Sequence, residues 1–239
     1  MKAAVILIAV VIAAGIAAVA VWITRAPSAK AASNPIAVDV AALKAKAEAG
    51  DPEAAYTLAK ARVRGDLGLP DYSEAARLFQ AAADKGHVEA MVGLAELYTL
   101  GQGVTNNPAE ALRLYLAAAQ QGSVRAMYSL AGLYEEGRGV KKDQTLAARW
   151  HQLAAERGMA VAQFNLGQRY ELGMGVPTDL IEAYKWLSLA AKNGIGDAGE
   201  MKDRLRKKMS RDQTAEGQRR VDGFTLASAA PSLTNGISP

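Results

Sequence analysis

Apolar side chains recur at steps of three and four along most of this chain, and the whole pattern then recurs every 36 residues. The clearest markers are Gly50, Gly86, Gly122, Gly158 and Gly194, spaced 36 apart. Four places past each stands an alanine: Ala54, Ala90, Ala126, Ala162 and Ala198. Eight past come Leu58, Leu94, Leu130 and Leu166, and twelve past come Arg62, Tyr98, Tyr134 and Tyr170. Side chains four apart share one helical face, so these sets predict a buried stripe on a first helix. That helix is expected to stop at Gly65, Gly101, Gly137 and Gly173, where glycine takes a left-handed cap without a side-chain clash. A second stripe runs through Ala75, Ala111, Ala147 and Ala183, then Leu78, Leu114, Trp150 and Trp186. Its start is marked by Asp71, Asn107, Asp143 and Asp179, whose side-chain oxygens can satisfy free backbone N–H groups. Glu74, Glu110 and Glu182 follow three places on, at the spacing of a capping box.

Each unit is therefore two antiparallel helices, and one such pair cannot bury its apolar faces alone. Stacking of successive pairs supplies the core. The pattern predicts an all-α, right-handed superhelical solenoid over residues 38–222. Its repeats are 50–85, 86–121, 122–157 and 158–193, with caps at 38–49 and 194–222. Residues 223–239 are rich in Ser, Ala, Pro and Gly and read as a disordered tail.

The N-terminus follows a different pattern. Residues 3–23 carry no charge, and as a helix they would span about 30 Å, the thickness of a bilayer core. Residues 1–24 thus read as a transmembrane anchor, followed by a linker over 25–37 that contains Pro27 and Pro35. Ala18-Val19-Ala20 also suits signal cleavage, which would release the repeats as a secreted module. Lys2 and the terminal amine balance Arg25 and Lys30, and a one-residue hydrophilic head is easily retained inside. The expectation is a single-pass membrane protein with its repeats on the non-cytoplasmic, periplasmic side.

Composition narrows the chemistry. The chain has no cysteine, which excludes disulfides and thiolate chemistry, and a formal charge of +4 demands no polyanionic partner. The two histidines, His87 and His151, have no second ligand nearby in sequence, so neither reads as a metal or base site. Gly101-Gln102-Gly103 and its counterparts lack the third glycine and preceding strand of a dinucleotide loop, and read as helix joints. Glu135-Glu136 falls at a helix end and reads as solvated surface. The basic run Lys202, Arg204, Arg206, Lys207, Lys208 and Arg211 is interrupted by acids and reads as a solvated cap helix, with contact to anionic lipid as the alternative. No catalytic residue, cofactor or nucleic-acid partner is expected.

The recurring pattern Ala-x-x-x-Leu-(Gly/Ala)-x-x-Tyr-x-x-Gly-x-Gly-Val is clearest from Ala162 to Val176, and it resembles the Sel-one-like repeat family. The 34-residue period of tetratricopeptide repeats does not fit. Repeat one departs, with Arg62 in place of the aromatic and Leu67-Gly68 in the loop. The resemblance implies a scaffold that gathers other proteins, often at membranes. Some relatives are described as penicillin-binding or β-lactamase-like. This chain lacks their cysteine pairs and any Ser-x-x-Lys, so that activity is not carried over. A cell-envelope hydrolase stays as the alternative class.

One further stripe bears on partners. Six places past each marker glycine stand Tyr56, Val92, Tyr128 and Phe164, nearly opposite the Leu stripe. In stacked helix pairs this side lines the concave groove, flanked here by Lys60, Glu89, Glu96, Arg125, Glu135 and Gln168. Aromatic and charged residues in a groove suit recognition of a protein or peptide. The other reading is that the aromatics wedge neighbouring first helices together.

Overall fold

The computed structural model describes residues 40–227. Among them stand eleven helices and no strand. A short leading helix α1 (Val40–Glu48) precedes four hairpins. These pair α2 (Pro52–Arg64) with α3 (Tyr72–Ala83), α4 (Val88–Leu100) with α5 (Pro108–Gln120), α6 (Val124–Glu136) with α7 (Gln144–Glu156), and α8 (Ala160–Leu172) with α9 (Leu180–Lys192). The chain then closes with α10 (Gly196–Arg206) and α11 (Arg211–Asp222). Each hairpin's second helix packs against the first helix of the next, and α11 returns onto α9. From α2 to α10 every element therefore packs on its neighbours in the series, as a solenoid requires.

The sequence signals set these boundaries. Asp71, Asn107, Asp143 and Asp179 are the N-caps of the second helices, each accepting from a backbone N–H of the first turn at 2.9–3.2 Å. The glutamates three places on do not close a capping box. Glu74 and Glu110 turn instead to Arg77 and Arg113, and Glu182 to Lys185 and Arg220. An arginine or lysine one turn on offers a charged partner, which outcompetes a single backbone N–H. A complete box is formed at Ser210 and Gln213. The four glycines that stop the first helices all take left-handed φ values, between +66° and +77°.

The second glycine in the last three of these loops has a separate cause. The loop after α8 lies against the N-terminus of α7, so closely that a Cβ on Gly175 would sit 1.9 Å from the Gln144 carbonyl oxygen. Gly139 meets Pro108, and Gly103 meets Tyr72, in the same way. These glycines are thus the point where one repeat's loop nests on the preceding repeat.

The core is built from the predicted stripes. Leu58, Leu94, Leu130 and Leu166 are buried with Ala75, Ala111, Ala147, Trp150 and Trp186 in one continuous cluster. A second cluster beneath the C-terminal cap holds Ala183, Tyr184, Leu187, Ala190, Ala198 and Leu205.

The predicted anchor and linker, residues 1–37, lie outside the described residues. Among the described residues no helix is long and apolar enough to cross a membrane. The tail predicted from residue 223 is described as far as Ala227, and Phe224 packs edge-on against Trp186 with ring centroids 5.5 Å apart. Residues 228–239 lie outside the described residues.

Candidate functional site

The ten residues picked out on the first-helix face fall into two groups and one exception. The first group surrounds a cavity of about 240 Å³ lined by Tyr56, Lys60, Glu89, Glu96 and Arg125. Its floor has a local cause. Gly93 lacks a side chain, and Phe79 fills that space so closely that a Cβ there would lie 2.7 Å from its ring. Tyr56 forms one wall. Its ring stacks on His87 with centroids 4.5 Å apart, meets Phe79 at 6.0 Å, and carries the Lys60 ammonium 4.6 Å from its centroid. The opposite lip is ionic, with Arg125 bonded to Glu96 at 2.5 Å and 3.8 Å from Glu89. The site thus offers an apolar floor between a cation and a carboxylate-rich lip.

His87 is the N-cap of α4. Its Nδ1 accepts from the Ala90 N–H at 3.2 Å, and Nε2 lies 3.0 Å from Glu53 Oε2. This holds the imidazole flat beneath Tyr56. Val92 is the exception among the ten: it is fully buried, and so belongs to the core rather than to the groove. Its shorter side chain is covered, whereas Tyr56 and Tyr128 at the same phase stay partly exposed.

The second group lies between α6, α7 and α8. Tyr128 meets His151 edge-on at 5.5 Å, and its hydroxyl accepts from Asn165 Nδ2 at 3.4 Å. Glu135 is not simply solvated. One carboxylate oxygen sits 2.8 Å from Arg169 Nη2, off the hydrogen-bonding axis, and the other 3.6 Å from His151 Nε2. Arg169 is 1% exposed, and its Nη1 donates to the Gln144 side chain at 3.0 Å and the Met174 carbonyl at 3.1 Å. His151 is 2% exposed, and burial, helped by the Arg169 charge, lowers its pKa to about 4. The imidazole is therefore neutral at pH 7. Phe164 packs on the C-terminal cluster, and Gln168 lies 3.6 Å from the Met201 sulfur. Tyr128 and Gln168 thus each contact the following first helix, and Phe164 packs toward the C-terminal cap.

Sequence reasoning missed Arg169 and Gln163. Arg169 occupies the phase of Leu97 and Leu133, and Gln163 that of Met91 and Met127. A polar residue in an otherwise apolar phase was the available signal. Buried Gln163 donates to the Ala155 carbonyl at 3.1 Å and accepts from Asn193 at 2.9 Å. Among the described residues no cluster of three or more His, Asp or Glu is placed to hold a metal.

The Sel1 repeat profile matches four consecutive 36-residue stretches, 52–87, 88–123, 124–159 and 160–195, together more than half of the chain. The chain belongs to the Sel1 repeat family. Sel1 repeat proteins are in general protein-interaction scaffolds and typically non-catalytic. The profile places each repeat from the first residue of one first helix to the cap of the next, two residues later than the glycine-based phase.

Among solved structures, the chain is similar to a Sel1 repeat protein from Oxalobacter formigenes, at 25% identity and a TM-score of 0.61, covering 74% of each chain. It also matches a protective antigen of uropathogenic Escherichia coli displaying an SLR fold, at 25% identity and a TM-score of 0.48. That match covers 77% of this chain and 48% of the antigen, about half its length. An immunity protein from Pseudomonas aeruginosa aligns at 21% identity and a TM-score of 0.37, covering 72% of this chain and 79% of that one. No protein of curated function matches the chain.

Proposed function

We propose that this Sel1 repeat protein is a non-enzymatic, membrane-tethered scaffold that captures a protein partner on its first-helix face. Residues 3–23 are the tether, and the repeats stand on the periplasmic side as a right-handed superhelix. The observation that carries the binding reading is the cavity under Tyr56 and Lys60, apolar at its floor and charged at both lips. Such a pocket takes an apolar side chain of a partner segment, with a carboxylate directed to Lys60. The walls are rigid helices, so little ordering is needed on binding. The alternative of a hydrolase finds no support in His151, whose ring is shut away from any substrate.

The test is capture from intact membranes by the full chain and by Tyr56→Ala with Lys60→Ala. The double variant is expected to lose at least tenfold in captured partner while its helical circular-dichroism signal persists. Undiminished capture would remove this cavity from the account. A reporter fused to the C-terminus that is active only in the cytoplasm would overturn the topology.

A further inference from the structure

Charge is unevenly spread at the joint between α10 and α11. Residues 204–211 carry five cations, Arg204, Arg206, Lys207, Lys208 and Arg211, and no acid. Lys208 is bonded to Glu171 at 2.8 Å. Among the described residues Arg204, Arg206, Lys207 and Arg211 form no ion pair, and all four are exposed. The acid just before the joint, Asp203, lies against Lys202 instead, at 3.7 Å. Arg206 and Arg211 line one crevice of about 490 Å³, where Tyr184, Met209 and Ala215 supply apolar surface. The crevices under Tyr56 and beside Trp186 are lined by acids and bases together, this one by bases alone. Helix ends explain only part of the pattern. Arg204 and Arg206 stand in the last turn of α10, where the dipole favours a cation. Arg211 opens α11, at the positive end of a helix, where a cation is disfavoured. An anion held between Arg206 and Arg211 would offset both their mutual repulsion and that dipole.

We propose that this joint is a docking surface for an anionic bilayer, with a phospholipid phosphate seated between Arg206 and Arg211 and the other cations over neighbouring headgroups. Guanidinium forks match phosphate oxygens bidentately. The apolar wall beside them suits the less polar part of a lipid, which inorganic phosphate lacks. A nucleic acid fits less well, because Tyr184 is 6% exposed and offers no open ring face on which a base could stack. Each cation near an anionic bilayer is worth roughly a fivefold gain in binding, so the three arginines together supply about a hundredfold. The contact does not depend on residues 3–23 being a tether.

The chain has no cysteine, so Lys207→Cys gives a unique attachment point for a fluorophore while adding no positive charge. The labelled full chain is combined with vesicles of phosphatidylcholine alone, or of phosphatidylcholine and phosphatidylglycerol in equal parts, each with a trace of lipid bearing a headgroup quencher. Quenching is expected in the anionic vesicles and not in the neutral ones. Any tether acts alike in both, so the difference isolates the charged contact. Quenching should be reversed at about 1 M salt, where the screening length is about 3 Å. Combining Arg204→Gln, Arg206→Gln and Arg211→Gln should lower the ratio of docked to undocked protein about a hundredfold. Equal quenching in the two vesicles, or quenching indifferent to salt, would overturn the proposal, and neither readout needs the triple variant to fold. A triple variant that docks as well as its parent would overturn it too. A dye response to soluble glycerol phosphate or to a short RNA duplex, with none to anionic vesicles, would assign the joint to that ligand and overturn the lipid reading.

Discussion

Protonation of His151 should weaken the solenoid, and by a definite amount. The ring is 2% exposed, so water screens it little. The charged groups that face it are Arg169 on α8, which opposes protonation, and Glu135 on α6, which favours it, while the Tyr128 ring meets it edge-on. Burial and Arg169 win, and the folded-state pKa falls from 6.5 to about 4. Between these values the unfolded chain binds a proton that the folded chain refuses, so stability falls with pH from about 6.5 to about 4. The gap corresponds to on the order of 3 kcal/mol. Below pH 4 both states are protonated and the loss levels off. The control is His151→Phe, since Phe79 fills the matching place in the first repeat. Urea unfolding, followed by helical circular dichroism at several pH values, gives the difference between the two proteins, in which the other titrating groups cancel. The wild type should lose about 3 kcal/mol relative to the variant on going from pH 7.5 to 4. Parallel curves would refute the burial argument. A wild type that gains on the variant as pH falls would show a protonated His151 paired with Glu135 instead.

Three other substitutions test the packing. Gly175→Ala should cost about 2–4 kcal/mol, because a left-handed backbone strain adds to a clash with the Gln144 carbonyl. Gly122→Ala, with a positive φ but open space around it, should cost only about 1 kcal/mol; equal losses in thermal melts would deny the loop-nesting role. Arg169→Leu restores the residue type of the two preceding repeats, yet should cost about 1–3 kcal/mol because the Met174 carbonyl loses its buried donor. A stabilised Arg169→Leu in urea unfolding would show that the network is a burden on folding.

The helical hairpins were legible because each signal is local. Asp143 caps a helix two and three residues away, and Leu94 shares a face with residues one turn off. The repeat period multiplied those local signals by four. The networks were not legible in the same way. Glu135 looks like solvent-facing helix end until Arg169, on the first helix of the next repeat, is laid against it. Such a contact is visible in sequence only as a mismatch of register, an arginine in the place of Leu97 and Leu133. Val92 shows the limit of phase alone, since its position matches Tyr56 and Tyr128 but its side chain is short enough to be covered. The Phe224 contact was invisible for a related reason: tail composition says nothing of one aromatic that finds a tryptophan.

The most direct test of the scaffold account is site-specific photocrosslinking in intact membranes, with a photoreactive residue placed at Lys60 in one protein and at Arg113 in another. Lys60 lines the first-helix cavity, whereas Arg113 is exposed on a second helix. The account predicts a discrete partner adduct from position 60 and none from position 113. Adducts from position 113 alone, or equally from both, would contradict it.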